Sequence, residues 1–131
     1  MKRIAEFWDD AVVPAFANYI RIPAKSPHFD KAWQTNGHLE EAVTLAAQWC
    51  LKHAVPGMKL EVVRLEGKTP VLFIEIEGQS KETVLIYGHL DKQPEMTGWR
   101  EGLGPWQPKI VEGPISPKGW CLEWEKPSKK S

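Results

Sequence analysis

The sequence predicts an α/β domain in which N-terminal helices pack on a mixed sheet. Two stretches with helical periodicity come first, two runs with strand-like alternation follow, and a continuous apolar run comes third. With 131 residues, of which 42% are hydrophobic and 26% charged, the chain has the size and composition of one globular domain. We expect residues 1–113 to form this domain and residues 114–131 to form an irregular tail.

Charge and cysteine content exclude several classes of function. Basic and acidic residues both number 17, so the chain has no electrostatic footprint for nucleic acid. No run reaches the roughly 18 apolar residues of a membrane span, and acidic residues stand where a signal peptide needs its apolar core. The two cysteines, Cys50 and Cys121, are interpreted as free thiols in a reducing compartment. We therefore expect a cytoplasmic protein that binds neither nucleic acid nor membrane.

Two helices are predicted at the N-terminus. Apolar residues recur at helical spacing from Ile4 to Ile20, and Pro14 should kink this helix or start a second segment. Asn36 is a candidate cap for the next helix, whose first turn contains Glu40 and Glu41 beside the positive end of its dipole. The predicted core stripe of that helix consists of Leu39, Val43, Ala46, Ala47, Cys50 and Leu51.

Three strands are predicted to follow. The runs "KLEVVRLEG" and "PVLFIEIEG" alternate and are separated by turn residues, as expected for a hairpin. The run "TVLIYG", residues 83–88, is apolar throughout, which is typical of a strand covered on both faces. Beyond Gly88, proline and glycine are frequent and long loops are expected.

His89 and Asp91 stand at the exit of this third predicted strand. Ligands in α/β folds collect beyond the carboxyl ends of strands, and two residues separated by one position in an extended segment point the same way. Asp91 is then placed to accept a hydrogen bond from the imidazole, which would orient His89 as a zinc ligand. A histidine and an aspartate at this spacing also occur by chance, and a purely structural histidine is the alternative.

The surrounding residues resemble a known family. "VLIYGHLDKQP" resembles the motif of the cocatalytic zinc aminoacylases, carboxypeptidases and dipeptidases, in which an apolar strand leads into Gly-His-x-Asp-x-x-Pro. "FWDDAVVPAFANYIRIPAKSPHFD" and "GWREGLGPWQPKI" are similar to segments of the dipeptidase branch, so the resemblance covers about residues 5–113. It implies the N-terminal part of a zinc-peptidase catalytic domain.

The resemblance also implies chemistry for these residues. His89 matches the first-metal histidine and Asp91 the aspartate that orients it and counts as catalytic. In the family, two zinc ions share a water molecule that attacks the amide bond of a dipeptide or an N-acyl amino acid. Lys92 replaces a small apolar residue, and we expect it to alter the charge at the rim of the site. Substrate-binding residues are not identified.

The resemblance ends near Gly113. No aspartate follows Asp91 and no histidine follows His89, so the bridging aspartate and the second metal's histidine of the family are absent. This suggests a truncation or a change of reading frame, which translation of the gene in all three frames would test. We expect at most weak binding of a single zinc ion and no activity of this chain alone. The alternative is a non-catalytic remnant or interaction module, and the loss of covering structure predicts self-association.

The remaining histidines and the loop tryptophans are weaker candidates. His38 and His53 lie at opposite ends of the second predicted helix, about 22 Å apart, too far to share one ion. His53 is better placed to interact with the helix dipole. Trp99 and Trp106 either line a substrate mouth or anchor their loop. Trp120 and Trp124 are expected to fill the core or to form a contact between chains.

Overall fold

The chain begins with consecutive helical segments in the computed structural model, which describes residues 2–99 and 101–110. Helix α1 spans Lys2–Phe7, a π-helical turn spans Trp8–Val12, and α2 spans Val13–Arg21. Pro14 is the second residue of α2, which follows directly on the π-helical turn, and the hydrogen bonding of that turn extends to the Val13 N–H. Of the two outcomes expected at Pro14, a kink or the start of a second segment, the structure shows the second, with α2 beginning one residue earlier at Val13.

The apolar side of these first helices is largely uncovered. Ile4 is 74% exposed and Phe16 is 58% exposed, and α2 contains no buried residue. Phe7 makes edge contacts with the rings of Trp49 and His53, which attach the N-terminal region to the end of the long helix. The helical periodicity is thus present, but other described elements cover only part of its apolar face.

Helix α3, Trp33–Asn36, is a single turn that precedes α4, His38–Lys52. The expectation that Asn36 occupies the N-cap of the long helix is wrong by one residue, because Gly37 takes that position with φ of 78°. Only glycine adopts this left-handed conformation without steric cost. Asn36 still helps the helix to start, since its Oδ1 accepts a hydrogen bond from the His38 N–H at 3.1 Å. Glu40 and Glu41 lie in the first turn as predicted.

The core lies between α4 and the chain that leaves α2. Helix α4 buries Leu39, Ala42, Val43 and Ala47. Leu39 and Ala42 pack in one cluster with Ile22 and Ala24, and Tyr19, Trp33 and Leu45 lie around it. Leu51 was expected in the core stripe but is 60% exposed, because no described element lies over the last turn of α4 on that side.

A β-hairpin follows α4, as the alternating runs predicted. Strand β1, Met58–Val63, pairs antiparallel with β2, Val71–Ile76, and Leu60 lies opposite Ile74 while Val62 lies opposite Leu72. Both strands contact α4. The described residues therefore combine helices with a small two-stranded antiparallel sheet, which agrees with the predicted α/β class. The predicted mixture of strand directions is not present in this sheet, because the third predicted strand does not pair in the described chain.

The third predicted strand does not form. Residues 83–88 have neither helix nor strand, and the four side chains from Val84 to Tyr87 are between 84% and 89% exposed. A buried strand needs neighbours on both edges and layers on both faces. None of these is supplied by the part of the chain that the structure describes, so the prediction of a covered strand is wrong here.

The chain after Gly88 runs through loops, as expected, with only isolated bridges such as Gly104 to Gln107 among the described residues. No helix in residues 2–99 and 101–110 is both long and apolar enough to cross a membrane. The predicted domain boundary at Gly113, the tail 114–131 and the pair Trp120 and Trp124 lie outside the described residues.

Candidate functional site

The segment that contains His89 and Asp91 is attached to the loop that leaves α2. The Lys92 N–H donates to the Ala24 carbonyl at 2.9 Å, and the Ser26 N–H donates to the Lys92 carbonyl at the same distance. These two bonds form a parallel bridge between Lys25 and Lys92. Since Ala24 is fully buried, the bridge fixes this segment against the core.

His89 and Asp91 are in direct contact. The His89 Nδ1 atom lies 3.0 Å from the Asp91 Oδ1 atom and 2.9 Å from the Asp91 backbone carbonyl oxygen. The histidine side chain is 65% exposed and the aspartate side chain 35% exposed. The contact predicted from their spacing is therefore present, with the imidazole facing solvent and not packed in the interior.

This geometry selects one tautomer of the histidine. A backbone carbonyl oxygen only accepts hydrogen bonds, so the Nδ1 atom of His89 must carry a proton to interact with it. In the neutral ring the other nitrogen, Nε2, then has a free lone pair. The Asp91 carboxylate shares the same Nδ1 proton and orients the ring. His89 thus presents Nε2 as an electron-pair donor for a cation or a proton.

The donor set around His89 is too small for a complete metal centre. Structural and catalytic zinc sites use three or four protein ligands at short distance. Within residues 2–99 and 101–110, no group of three or more His, Cys, Asp or Glu side chains has the arrangement needed to hold a metal ion. The described residues therefore fit one coordinating nitrogen with its orienting acid, and they do not fit a two-zinc centre.

Lys92 has a role that its place in the sequence does not predict. Its Nζ atom donates to the backbone carbonyls of Tyr19 at 2.6 Å, Ile20 at 3.2 Å and Ile22 at 2.5 Å. An ammonium group has three donors, and all three are used on carbonyls at the C-terminal end of α2. The positive charge also lies at the negative end of the helix dipole. Lys92 is therefore a helix cap, a role additional to the change of rim charge expected from the sequence.

No local pattern identifies this cap in the sequence. Lys92 and the carbonyls that it binds are separated by 70 to 73 residues. The usual signal for a C-terminal cap is a basic residue in the last turn of the helix itself, and Arg21 occupies that place in α2. A contact between such distant residues depends on the fold.

Tyr19 connects the same helix to the residue between His89 and Asp91. Its hydroxyl donates to the Leu90 carbonyl at 2.7 Å, and its ring lies 4.2 Å from the Lys92 Nζ atom. Burial raises the pKa of the Tyr19 hydroxyl, and the nearby negative charge of Asp91 raises it further. Burial also lowers the pKa of the Lys92 ammonium group. The candidate site is thus electrostatically linked to the end of α2.

Glu95 fixes the other end of the segment. Its carboxylate pairs with the Lys25 ammonium group at 3.0 Å. A hydrogen bond from its own backbone N–H and the bond from Lys25 lower the pKa of Glu95. The centre of the Trp106 ring lies 5.2 Å from the Lys92 Nζ atom. This contact between the ring and the Lys92 ammonium group is suited to anchoring the loop, which is one of the two roles considered for the loop tryptophans.

His53 has the helix-terminal role predicted from its position near the end of the second helix. It is the residue after α4, and its Nδ1 atom lies 2.8 Å from the Trp49 backbone carbonyl, to which the protonated nitrogen donates. Its ring also lies against the Trp49 ring, with 4.2 Å between the ring centres and 30° between the ring planes. His53 is occupied at the end of the helix and does not contribute to the site at His89.

No protein-family model matches this chain, and no curated protein matches it with significance.

Proposed function

We propose that this chain belongs to the lineage of the cocatalytic zinc metallopeptidases and corresponds to the N-terminal part of their catalytic domain, closest to the dipeptidase branch. In this proposal His89 is a metal ligand and Asp91 is its catalytic partner. The complete enzyme would hydrolyse amide bonds in dipeptides or N-acyl amino acids with two zinc ions. The observation that carries the proposal is the contact between the two side chains, which leaves Nε2 of His89 free and exposed.

For this chain by itself we propose weaker metal binding than in the complete family enzymes, and no catalysis. A single oriented imidazole supports weak binding of one zinc ion, because most of the free energy of zinc binding comes from several ligands held together. We therefore propose that this chain binds zinc weakly and does not hydrolyse peptides by itself. The two cysteines, taken as free thiols, support a reducing cytoplasmic environment as part of the same proposal.

Zinc titration followed by NMR of the histidine ring protons tests the proposed ligand. The four histidines give separate signals, and we expect the His89 signals to shift first, with a Kd in the millimolar range. Asp91→Asn should weaken this binding, because the amide is a poorer acceptor for the Nδ1 proton. His53→Ala is the matched control and should leave the His89 response unchanged. Equal responses from all four histidines would contradict a site at His89.

An activity assay tests the second half of the proposal. The purified chain is incubated with zinc and a panel of dipeptides, and we expect no turnover above a buffer control. Turnover that is abolished both by a chelator and by His89→Ala would show that further ligands complete the site, and it would contradict the proposed inactivity.

A non-catalytic interaction module is the second candidate function. It is supported by the exposure of residues 83–88, since four consecutive apolar side chains on a surface are typical of a contact region. The two candidates differ in a measurable way, because an interaction module would keep its association in the His89→Ala variant.

A further inference from the structure

Residues 83–88 are the largest uncovered apolar segment in the described chain. Val84, Leu85, Ile86 and Tyr87 are 84%, 88%, 89% and 85% exposed. Their backbone N–H and C=O groups make no hydrogen bond with any other residue in the ranges 2–99 and 101–110. The segment therefore combines apolar side chains with a free row of backbone donors and acceptors.

The composition of the segment suits β-pairing. Threonine, valine, isoleucine and tyrosine favour strands, and residues 83–88 contain no proline and no charge. Natural edge strands usually carry prolines or charged side chains, because an edge strand without them pairs with another chain. Residues 83–88 have neither kind of protection. The occupant with the right chemistry is therefore another uncharged strand of the same kind.

Charges beside the segment discriminate between arrangements of two copies. A parallel in-register pair would place Lys81 opposite Lys81 and Glu82 opposite Glu82, which is unfavourable. In an antiparallel pair, the residue pairs alternate between hydrogen-bonded and non-hydrogen-bonded ones along the strand. A two-fold axis must map each pair onto a pair of the same type, so it has to pass through a residue that lies opposite its own copy. With Ile86 at that position, Lys81 of one copy lies opposite Asp91 of the other.

We propose that two copies of this chain form a dimer in which residues 83–88 pair antiparallel about Ile86. In this register Leu85 faces Tyr87 of the other copy, which gives two aliphatic-aromatic pairs, and the Lys81 and Asp91 pair adds opposite charges at each end. A register centred on Leu85 loses this charge pairing, since Lys81 would then face His89. The inference does not depend on the proposed zinc chemistry.

The size of the contact sets the strength of the dimer. A pair of six-residue strands buries less than the roughly 1,200 Å² of a standard interface, so we expect a weak dimer. Sedimentation velocity on the full chain should show a monomer at about 1 μM and a growing dimer fraction up to about 200 μM. Sedimentation of a single monomeric species across this range would overturn the proposal.

A matched pair of substitutions tests the surface. Ile86→Lys introduces two like charges at the two-fold axis and should abolish the dimer over the same concentration range. Ile4→Lys is the control, because Ile4 is also strongly exposed at 74% but lies in α1. Both residues are exposed, so both variants should retain the far-ultraviolet circular dichroism of the original chain. Dimerisation that survives Ile86→Lys, or that Ile4→Lys removes equally, would overturn the assignment.

Cysteine cross-linking tests the register. In a background with Cys50→Ser and Cys121→Ser, Ile86→Cys should form a disulfide-linked dimer under mild oxidation. A mixture of Leu85→Cys and Tyr87→Cys chains should cross-link between the two types of chain. Val84→Cys alone should cross-link much less, because Val84 faces Gly88 in this register. Equal cross-linking of Val84→Cys and Ile86→Cys, or ladders of higher oligomers in place of a dimer, would overturn the antiparallel pairing about Ile86.

Discussion

The Lys92 Nζ atom lies 2.6 Å from the backbone carbonyl oxygen of Tyr19 and 4.2 Å from the centre of the Tyr19 ring. One ammonium group therefore both caps the end of α2 and lies over an aromatic face. Through the Tyr19 hydroxyl, which donates to the Leu90 carbonyl, the same contact holds the chain between His89 and Asp91. The candidate site depends on this attachment, because its two residues lie in a loop with no strand beneath them.

Replacement of Lys92 by methionine should lower the free energy of unfolding by about 2 kcal/mol, since three charge-assisted hydrogen bonds and the interaction with the helix dipole are lost. Methionine keeps the apolar stem, so the change reports mainly on the ammonium group. Urea denaturation followed by circular dichroism measures the effect. Lys81→Met, at an exposed position, is the control, and an equal loss of stability in that variant would contradict the capping role.

Tyr19 should titrate above the ordinary tyrosine pKa of 10.0, because burial and the Asp91 charge both disfavour the phenolate. Ultraviolet absorbance of the phenolate in a Tyr87→Phe background, where Tyr19 is the only tyrosine, measures the midpoint directly. Asp91→Asn should move that midpoint down without returning it to 10.0, since burial is the larger cause. A midpoint at or below 10.0 in the original chain would contradict the described surroundings of Tyr19.

The same shift predicts a pH dependence of stability. Because the folded-state pKa of Tyr19 is raised, the unfolded chain loses this proton first as the pH increases past 10.0. The unfolded state then binds fewer protons than the folded state, so the contribution of Tyr19 to stability is complete below pH 10 and declines above it. The loss of stability between neutral pH and high pH should therefore be smaller in Tyr19→Phe than in the original chain. Identical losses in both chains would count against the effect.

Val43 and Leu51 should respond very differently to truncation, although both belong to the predicted core stripe of α4. Val43 is 1% exposed, and Val43→Ala should cost about 2 kcal/mol because it removes buried methyl groups and leaves a cavity. Leu51 is 60% exposed, and Leu51→Ala should cost less than about 0.5 kcal/mol. Denaturant midpoints of the two variants provide the measurement. Similar costs would mean that Leu51 is covered in solution.

Gly37→Ala should destabilise the chain by about 1 kcal/mol through backbone strain alone. The residue has φ of 78°, and a Cβ atom there would meet nothing within 4 Å, so steric contact with other residues does not contribute. Gly78→Ala is the matched control, because Gly78 also has open space around it but no positive φ. A comparison of thermal midpoints separates the two, and equal midpoints would contradict the left-handed N-cap of α4.

Features that depend on neighbouring residues could be predicted from the sequence. The two helical regions, the restart at Pro14, the β-hairpin and the contact between His89 and Asp91 all involve residues within about 20 positions of each other. Periodicity, turn residues and the alternation of side chains in extended chain describe interactions at this range. The role of His53 at the end of α4 belongs to the same group, since its partner is Trp49.

Features that depend on distant partners required the folded molecule. The Lys92 ammonium group binds carbonyls about 70 residues earlier in the chain. Leu51 is exposed because no described element packs over it. Residues 83–88 are the clearest case, because their sequence has the character of a buried strand while the described chain provides no neighbour to bury it. A run of apolar residues specifies a preference for pairing and burial, whereas the partner is supplied by tertiary or quaternary contacts that no local pattern encodes.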